Sequence, residues 1–303
     1  MPYISAVITG RNDGYGENFL LRVNTFIKSL DHQVRNYPDL FEIVLVEWNP
    51  PSDTLGMAEV VYKPKNLELR IITVPKEVHD TYNSPTPMLE YAAKNVGLHR
   101  ARGEFVLTTN PDIIFTQELI DEFARYELQT DTVYRTDRYD YRGEGISELE
   151  PSQYVEFARN KVFSGNITVG RLSREVMISS PCPLNDLPKS VITEDIVHTN
   201  ACGDFIMTAI ANYFKVDGME EAGTYKYHLD SFSLCKLMGI GLRHHVFLSP
   251  QCIFHMDHSR NPIKESWNFA YADKLIKGEE KLAPQEQWGL KGIELTEVNF
   301  NGT

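Results

Sequence analysis

The sequence predicts an α/β protein built on a doubly wound, mostly parallel central sheet flanked by helices, of the Rossmann-like type. Two observations lead to this prediction. In the first 127 residues, short apolar segments of strand length alternate with segments whose apolar residues recur at helical spacing. Polar residues and turn formers directly follow the apolar segments, as expected where parallel strands end at one edge of a sheet.

The elements of this alternation can be assigned one by one. The predicted order is a strand at 4–9, a helix at 19–30, strands at 41–46 and 69–74, a helix at 88–101 and a strand at 104–109. Regular patterning returns with a strand and helix start at 204–214, a helix at 231–238 and a strand at 246–254. Residues 128–200 are less regular, and they are expected to form an insertion or lid.

Three of the predicted strands end in polar clusters. Residues 11–13 follow the first strand, Glu47 follows the second, and residues 110–112 follow the fourth. The carboxyl ends of parallel strands meet at one edge, where open α/β sheets bind their ligands. These clusters therefore predict a binding site at that edge.

Composition limits the classes of function. The chain has 303 residues, of which 42% are hydrophobic and 24% charged, which is typical of a globular protein. Its formal net charge of −12 argues against extended nucleic-acid binding. A nucleotide ligand stays compatible with this charge, because a bound divalent cation supplies positive charge locally.

Cysteine spacing and hydropathy bear on the compartment. The four cysteines form no CxxC pair, so we expect four buried, reduced thiols rather than a disulfide framework or a zinc site. No apolar run reaches the roughly 18 residues that a bilayer span needs. We therefore expect no transmembrane segment and a cytoplasmic location, with peripheral membrane association through partners left open.

The order of motifs resembles the family-2-like glycosyltransferases of the GT-A fold. AAKNVG at 92–97 and ARGEF at 101–105 are together similar to the family's AxNxGxxxAxGEY pattern, and they lead into NPD at 110–112, where the family has its DxD metal motif. Weaker matches are ITGRN at 8–12, VEWN at 46–49, ACGDF at 201–205, VDGMEE at 216–221, HLDS at 228–231 and FHMDH at 254–258. The resemblance covers residues 3–258.

The resemblance implies a GT-A domain at 1–261. This domain would comprise a nucleotide-binding half at 1–127, the insertion or lid at 128–200, and an acceptor and metal half at 201–261. Residues 262–303 would form a C-terminal appendage that packs on the domain, with Trp267 and Trp288 anchoring it to the core or stacking on a sugar.

A nucleotide-diphosphate sugar is the donor that the resemblance implies. The residues expected to bind it are Thr9, Gly10, Arg11, Asn12, Glu47, Asn95, Arg102 and Asn110. Glu47 can accept a hydrogen bond from the N–H of uracil and would also suit guanine, and UDP-sugar is favoured. A solvated position at a helix end explains Arg102 equally well.

The departing diphosphate gains negative charge, which a divalent cation such as Mn or Mg stabilises. Asp112 supplies a carboxylate at a strand end, and His255 follows a predicted strand, so both are expected metal ligands. His258 is the third predicted metal residue, expected to support the ligands or to face the acceptor. Asn110 replaces the first DxD carboxylate by an amide, which could offer a carbonyl or hold the ribose or donor sugar.

The acceptor hydroxyl must lose a proton as it attacks the anomeric carbon. The resemblance assigns this base role to Asp230, although the start of a helix is also a common structural position for a carboxylate. Asp204 would lie beside the donor sugar and bind its hydroxyls. Inversion at the anomeric carbon and an acceptor that is a glycan, a lipid-linked sugar or a protein are likewise implied.

Two other classes of protein fit part of the sequence. A catalytically degenerate subunit would bind sugar nucleotides without turnover, and Asn110 keeps this alternative open. A sugar nucleotidyltransferase would need a lysine in the glycine-rich loop at 10–16, which the chain lacks, and it leaves the histidines at 255 and 258 unexplained. The sequence does not predict the oligomeric state.

Overall fold

The computed structural model describes residues 1–193, 196–221, 228–259, 268–280 and 287–302. Within these residues the strands are β1 (Ile4–Gly10), β2 (Phe41–Trp48), β3 (Glu68–Val74), β4 (Phe105–Thr108), β5 (Ile113–Phe115), β6 (Thr132–Thr136), β7 (Arg138–Tyr141), β8 (Val162–Val169), β9 (Leu172–Met177), β10 (Ile206–Ala209), β11 (Arg243–Phe247), β12 (Ile253–Met256) and β13 (Thr296–Phe300). The α-helices are α1 (Phe19–Gln33), α2 (Met57–Val60), α3 (Lys76–Asp80), α4 (Glu90–Arg100), α5 (Gln117–Phe123), α6 (Tyr154–Lys161), α7 (Ile210–Lys215), α8 (Leu229–Gly239) and α9 (Phe269–Ile276).

The larger of two sheets has eight strands in the order β11-β6-β10-β4-β1-β2-β3-β13. Its centre, β4-β1-β2-β3, is parallel, whereas β10 and β13 run antiparallel to their neighbours β4 and β3. The chain builds outward from β1 through β2 to β3 and then returns to place β4 on the other side of β1. This reversal is the switch point of a doubly wound sheet, so the predicted fold class is confirmed.

Both faces of the central strands are covered by helices. Every residue of β1 and β2 is buried, which explains their continuous apolar runs. On one face, Val23 and Phe26 of α1 join the core that contains Ile8. On the other face, Ala92 and Val96 of α4 pack in a second core with apolar side chains from that face of the same strands.

The predicted strand at 246–254 is wrong, because this segment contains parts of two strands in different sheets. β11 pairs with β6 in the larger sheet, whereas β12 pairs with β5 and β7 in the smaller sheet. Between them, the N–H of Gln251 bonds to the carbonyl of Leu248 in a turn that includes Pro250. Proline lacks an N–H for a strand ladder, so this interruption has a local cause.

Residues 128–200 are more regular than the sequence indicated. β6 belongs to the larger sheet, and β7, β8 and β9 belong to a five-stranded sheet in the order β5-β12-β7-β8-β9. This smaller sheet has its own apolar core, which includes Tyr139, Tyr154 and Phe254. Arg138 and Asp140 alternate with the apolar residues of β7, a strand pattern that the sequence analysis missed, and both polar side chains are buried at the site described below.

The segment after residue 267 packs against the rest of the chain at several places. α9 lies against α8, Trp288 is buried in the core that contains α4, and β13 pairs with β3 at the edge of the larger sheet. The predicted boundary at 261–262 and Trp267 lie outside the described residues. Whether residues 1–261 form one domain with the proposed subdivisions stays a prediction.

Two smaller expectations can be compared with the structure. Cys202, Cys235 and Cys252 are buried free thiols, as expected, but Cys182 is half-buried rather than buried, because it lies in a surface loop. In the part of the chain that the structure describes, no helix has both the length and the apolar character needed to cross a bilayer.

Candidate active site

The carboxyl edge of the parallel strands gathers most of the predicted site residues. Gly10, the last residue of β1, pairs in register with Glu47 near the end of β2. The N–H of Thr109, just after β4, bonds to the carbonyl of Val7 in β1. The loops that carry Arg11, Asn12, Asn110 and Asp112 therefore begin side by side.

Asp112, His255 and His258 form what we call the metal cluster. Asp112 lies between β4 and β5, His255 is in β12, and His258 follows that strand closely. Asp112 Oδ2 is 3.2 Å from His258 Nε2 and 3.6 Å from His255 Nε2. One potential ligand atom from each residue lies within 4.8 Å of the other two, so His258 belongs to the cluster as much as His255 does.

The second ring nitrogen of each histidine is held by a fixed partner. His255 Nδ1 lies 2.8 Å from Asp140 Oδ1, and His258 Nδ1 lies 2.8 Å from the carbonyl oxygen of Ser259. When an imidazole donates its Nδ1–H in this way, Nε2 is left unprotonated and the ring orientation is fixed, so Nε2 is a potential metal ligand with a defined direction. Both Nε2 atoms face Asp112, as in metal sites whose histidines are oriented by carboxylates or carbonyls.

Arg22 of α1 also reaches Asp112. Its Nη1 is 3.0 Å from Asp112 Oδ2, and both side chains are almost fully buried. Burial alone would raise the pKa of Asp112, but the charges and hydrogen bonds of His255 and His258 outweigh it and hold that pKa well below its usual value. Asp112 is therefore a carboxylate at neutral pH.

Asp140 links the metal cluster to Arg138 and Asp204. Arg138 is buried, with Nη2 3.2 Å from Asp140 Oδ2 and Nη1 2.6 Å from Asp204 Oδ2. Although burial raises the pKa of Asp204, the charge of Arg138 outweighs it and lowers that pKa. Asp204 is therefore an ionised carboxylate, with one oxygen held by a guanidinium.

Asn110 bridges Lys94 and Asp204. Its Oδ1 accepts a hydrogen bond of 2.9 Å from Lys94 Nζ, and its Nδ2 donates one of 2.7 Å to Asp204 Oδ1. An aspartate at position 110 would place a second carboxylate against Asp204, so the amide fits this site better than the usual DxD residue does. The bridge also occupies the amide oxygen that the sequence offered as a possible metal ligand.

Asp230 lies close to this bridge. Its Oδ1 accepts from the N–H of Ser231 at the start of α8, so the side chain has a helix-start position. A Cβ atom placed on Gly203 would lie 3.3 Å from Asp230 Oδ2 and 3.7 Å from Asn110 Nδ2, so a glycine here lets these groups approach. The same Cβ position would lie 3.8 Å from Tyr91 Oη, and burial, followed by the charge of Asp230, raises the pKa of Tyr91 well above its usual value.

The predicted nucleotide residues after β1 and β2 tie two loops together. Arg11 Nε donates to the carbonyl of Asn49 over 2.6 Å, and Asn12 Nδ2 donates to that of Leu55 over 2.9 Å. Glu47 Oε1 accepts from the N–H of Met57 over 2.9 Å, and burial raises the pKa of Glu47. Thr9 is buried.

Gly10 can meet a ligand only through its backbone. A side chain there would collide with Phe19, because an added Cβ would lie 2.8 Å from that ring. The glycine thus allows α1 to pack directly on the end of β1.

The structure does not bring Asn95 and Arg102 to this site. The amide of Asn95 is fully buried and bonds to both the N–H and the carbonyl of Met219 and to Glu221, so it has a structural role between α4 and the turn before residue 222. Arg102 precedes β4 and therefore lies at the opposite, amino edge of the sheet, where it pairs with Glu68. The motif match placed both residues by order along the chain, which does not specify which way a side chain points.

Four side chains at the site were missed from the sequence: Arg22, Lys94, Arg138 and Asp140. Period-two alternation of polar and aromatic residues at 138–141 could have placed Arg138 and Asp140 on one face of a strand. Arg22 gave no local signal, because its partner Asp112 is 90 residues away.

The residues of the metal cluster suit a divalent cation. Asp112 Oδ1 is buried and has no hydrogen-bond partner among the described residues. A buried carboxylate oxygen without a partner is costly unless something else binds it. One carboxylate and two imidazoles with fixed orientation form a donor set that suits a first-row divalent cation.

Comparison with solved structures bears on the fold. No protein-family model matches the chain, and no curated protein matches its sequence. Among solved structures, residues 1–349 of S. aureus TarS in complex with UDP-GlcNAc give a TM-score of 0.52 at 17% identity, over 91% of this chain and 65% of that one. The chain has a GT-A-type glycosyltransferase fold.

Two further structures are more distant. A structure of S. aureus TarS gives a TM-score of 0.49 at 17% identity, over 85% of this chain and 37% of that chain. The mannosyltransferase PcManGT from Pyrobaculum calidifontis, in complex with GDP-Man and Mn2+, gives 0.39 at 13% identity, over 82% and 56%. The chain thus spans less than two thirds of these TarS chains, and such low identity concerns the fold rather than the activity.

Proposed function

We propose that the protein is a metal-dependent glycosyltransferase that moves a sugar from a nucleoside-diphosphate donor to an acceptor hydroxyl. The observation that supports this most directly is the metal cluster at the carboxyl edge of a GT-A-type sheet, with both histidines fixed through Nδ1 and facing Asp112. Ligands of open α/β sheets bind at this edge, close to the switch point between β1 and β4.

In this proposal Asp112, His255 and His258 hold a divalent cation. When bound, the cation would neutralise the negative charge that develops on the departing diphosphate. Asp140 positions the His255 ring through Nδ1 and thereby keeps Nε2 directed at Asp112.

Asp230 is the proposed general base. As the acceptor oxygen forms its bond to the anomeric carbon, the bond from that carbon to the diphosphate oxygen breaks, and the acceptor proton passes to the Asp230 carboxylate. The side chain is half-buried, so solvent or an acceptor can reach it, and its bond to the N–H of Ser231 limits its motion. One base opposite the leaving group gives inversion at the anomeric carbon.

Asp204 and Asn110 are proposed to hold the donor sugar. Each oxygen of a carboxylate has two lone pairs, so Asp204 can accept from sugar hydroxyls while it keeps Arg138 and Asn110. Lys94 fixes the orientation of the Asn110 amide and so helps to position Asp204.

The nucleotide would lie along the loops after β1 and β2. Thr9, Gly10, Arg11 and Asn12 border this position, and Glu47 would accept from a base N–H. UDP is the favoured nucleotide, which agrees with the UDP-GlcNAc present in the TarS structure. The acceptor would be a glycan, a lipid-linked sugar or a protein.

A second candidate function is sugar-nucleotide binding without turnover. It is favoured by one observation, the use of Asn110 as a bridge between Lys94 and Asp204 instead of a second acidic metal ligand. Release of UDP from UDP-GlcNAc separates the two candidates, because a binding subunit would hold the donor unchanged.

Calorimetric titration with UDP, GDP and CDP, each with and without MnCl2, tests the proposed site. We expect one nucleotide, UDP, to bind with a Kd of about 10 μM, equivalent to about −7 kcal/mol, and only with Mn present. Asp112→Asn should weaken this binding by about 100-fold, since it removes the ligand charge.

The matched control is Asp39→Asn, an exposed carboxylate at the amino edge, which should bind as the wild type does. Thermal unfolding of both variants checks that they are folded. Equal nucleotide binding with and without Mn would contradict the metal-dependent site, and binding of no nucleotide would contradict the proposed function.

A further inference from the structure

Arg22 places a permanent positive charge directly against the metal cluster. Its Nη1 is 3.0 Å from Asp112 Oδ2, with side-chain exposures of 3% and 5% for the two residues. His255 and His258 face the same oxygen of Asp112. A guanidinium stays charged at any pH the protein meets, so the only carboxylate of the metal cluster is already neutralised.

Arg22 is also tied to the loop that follows β1. Its Nη2 donates to the carbonyl of Tyr15. An added Cβ on Gly16 would lie 2.9 Å from Nη2 and 2.6 Å from His258 Nδ1, so the loop lies directly against both side chains. Arg22 Nε is buried and has no partner among the described residues, so the guanidinium can still donate to another acceptor.

Asp112 carries a single negative charge, so it cannot neutralise both a divalent cation and the guanidinium of Arg22. Like charges repel strongly where burial lowers the effective dielectric constant. A cation that enters the cluster must therefore share Oδ2 with Arg22, take the unpaired Oδ1 beside it, or displace it. Each route weakens cation binding compared with a cluster that lacks the guanidinium.

We infer that Arg22 is an internal competitor of the divalent cation, and that it makes cation binding depend on an anionic diphosphate. Without nucleotide, Arg22 occupies Asp112 and bare cation binds weakly. A diphosphate supplies oxygens that accept hydrogen bonds from Arg22 while they also bind the cation, so both cations gain an anionic partner. Only this coupling rests on the proposed function; the competition for Asp112 does not.

Titration of Mn2+ followed by the electron paramagnetic resonance of the free ion, with and without UDP, tests this inference. The variants are Arg22→Gln and Arg22→Met, which remove the charge, and Arg22→Lys, which keeps it. Arg35→Gln, an exposed arginine just after α1, is the matched control. Thermal unfolding identifies folded variants. Arg22→Met keeps the apolar part of the side chain, so it replaces Arg22→Gln in the test if that variant does not fold.

We expect the two uncharged variants to bind bare Mn2+ at least about tenfold more tightly than the wild type, and Arg22→Lys and Arg35→Gln to resemble it. The ratio of Mn2+ affinities with and without UDP should fall by a similar factor in the uncharged variants. Bare Mn2+ affinity that is unchanged or weaker in both uncharged variants would overturn the inference. Arg22 would then be a residue that positions the Asp112 carboxylate for the cation.

The same data separate this inference from the proposed function. If removing the charge tightens Mn2+ binding while UDP has no effect on any variant, the competition holds and the nucleotide site is wrong. If the wild type binds UDP with Mn2+ but the uncharged variants gain no Mn2+ affinity, the nucleotide site holds and the competition is wrong.

Discussion

The two edges of the larger sheet both carry buried carboxylates paired with arginines, yet they differ in how completely their polar atoms are bonded. At the amino edge, Glu42 accepts from Ser5, from Arg70 and from the N–H of Arg102. Arg70 also forms a two-pronged pair with Glu297. Among the described residues, none of the side chains in this amino-edge network has a buried polar atom without a partner.

The carboxyl edge is incomplete by the same measure. Asp112 Oδ1, Arg22 Nε and Arg138 Nε are buried and have no hydrogen-bond partner within the described ranges. Buried polar atoms in folded proteins are nearly always bonded, so each exception needs an explanation. A closed network serves stability, whereas an open one has bonds left for a ligand.

Asp230→Asn at the carboxyl edge is expected to have the largest effect on activity, and it tests whether this edge carries the catalytic groups. The amide can still accept from the N–H of Ser231 but cannot take a proton. Release of UDP from the UDP-sugar donor should slow by about 10²–10⁴-fold. The Mn-dependent affinity for UDP should stay within about twofold.

The Asp39→Asn control should release UDP at the wild-type rate. Full activity in Asp230→Asn would show that another group takes the proton, and the carboxyl edge would then need a different base.

Glu42→Gln at the amino edge should affect stability and leave the site intact. It removes one charge from a buried pair while Arg70 keeps Glu297, so we expect a loss of about 3 kcal/mol in the free energy of unfolding. Urea unfolding measures this loss. Calorimetry with UDP and Mn on the folded variant should give the wild-type Kd. A tenfold higher Kd would contradict the view that the amino edge serves stability alone.

The smallest effect is expected from Arg102→Gln. Its side chain is 44% exposed and pairs with Glu68 at the surface, so the loss of stability should stay below about 1 kcal/mol. UDP affinity should not change, because Arg102 lies at the edge opposite the site. A tenfold drop in that affinity would instead support the donor-binding role that the sequence motif suggested.

The parts of the fold that could be predicted are those in which local pattern and burial agree. β1, β2 and β3 are apolar strands buried on both faces, and α1 and α4 lie close to their predicted positions. The smaller sheet was not predicted, since β5, β7 and β12 have only 3, 4 and 4 residues and β12 follows a proline-containing turn.

For the site, sequence order predicted the residues that follow strands but not the partners that hold them. Asp112 and His255 were predicted to bind one metal because both follow predicted strands and match metal positions of the glycosyltransferase family, and the structure places Asp112 Oδ2 3.6 Å from His255 Nε2. The pairing of Asp112 with Arg22 and the use of Asn95 as a structural amide depend on packing between distant segments. Such contacts have no periodic signal in the sequence.

The position of β13 has a consequence for how the chain is made. β13 completes the larger sheet by pairing with β3, and Arg70 and Glu297, which join these strands, are 227 residues apart. At the usual rate of synthesis, about 10–45 s pass between the two strands, and β3 has an unpaired edge during that time. Unpaired strand edges are templates for pairing between chains, so a ribosome-bound copy of this protein is open to association with its neighbours until β13 has emerged.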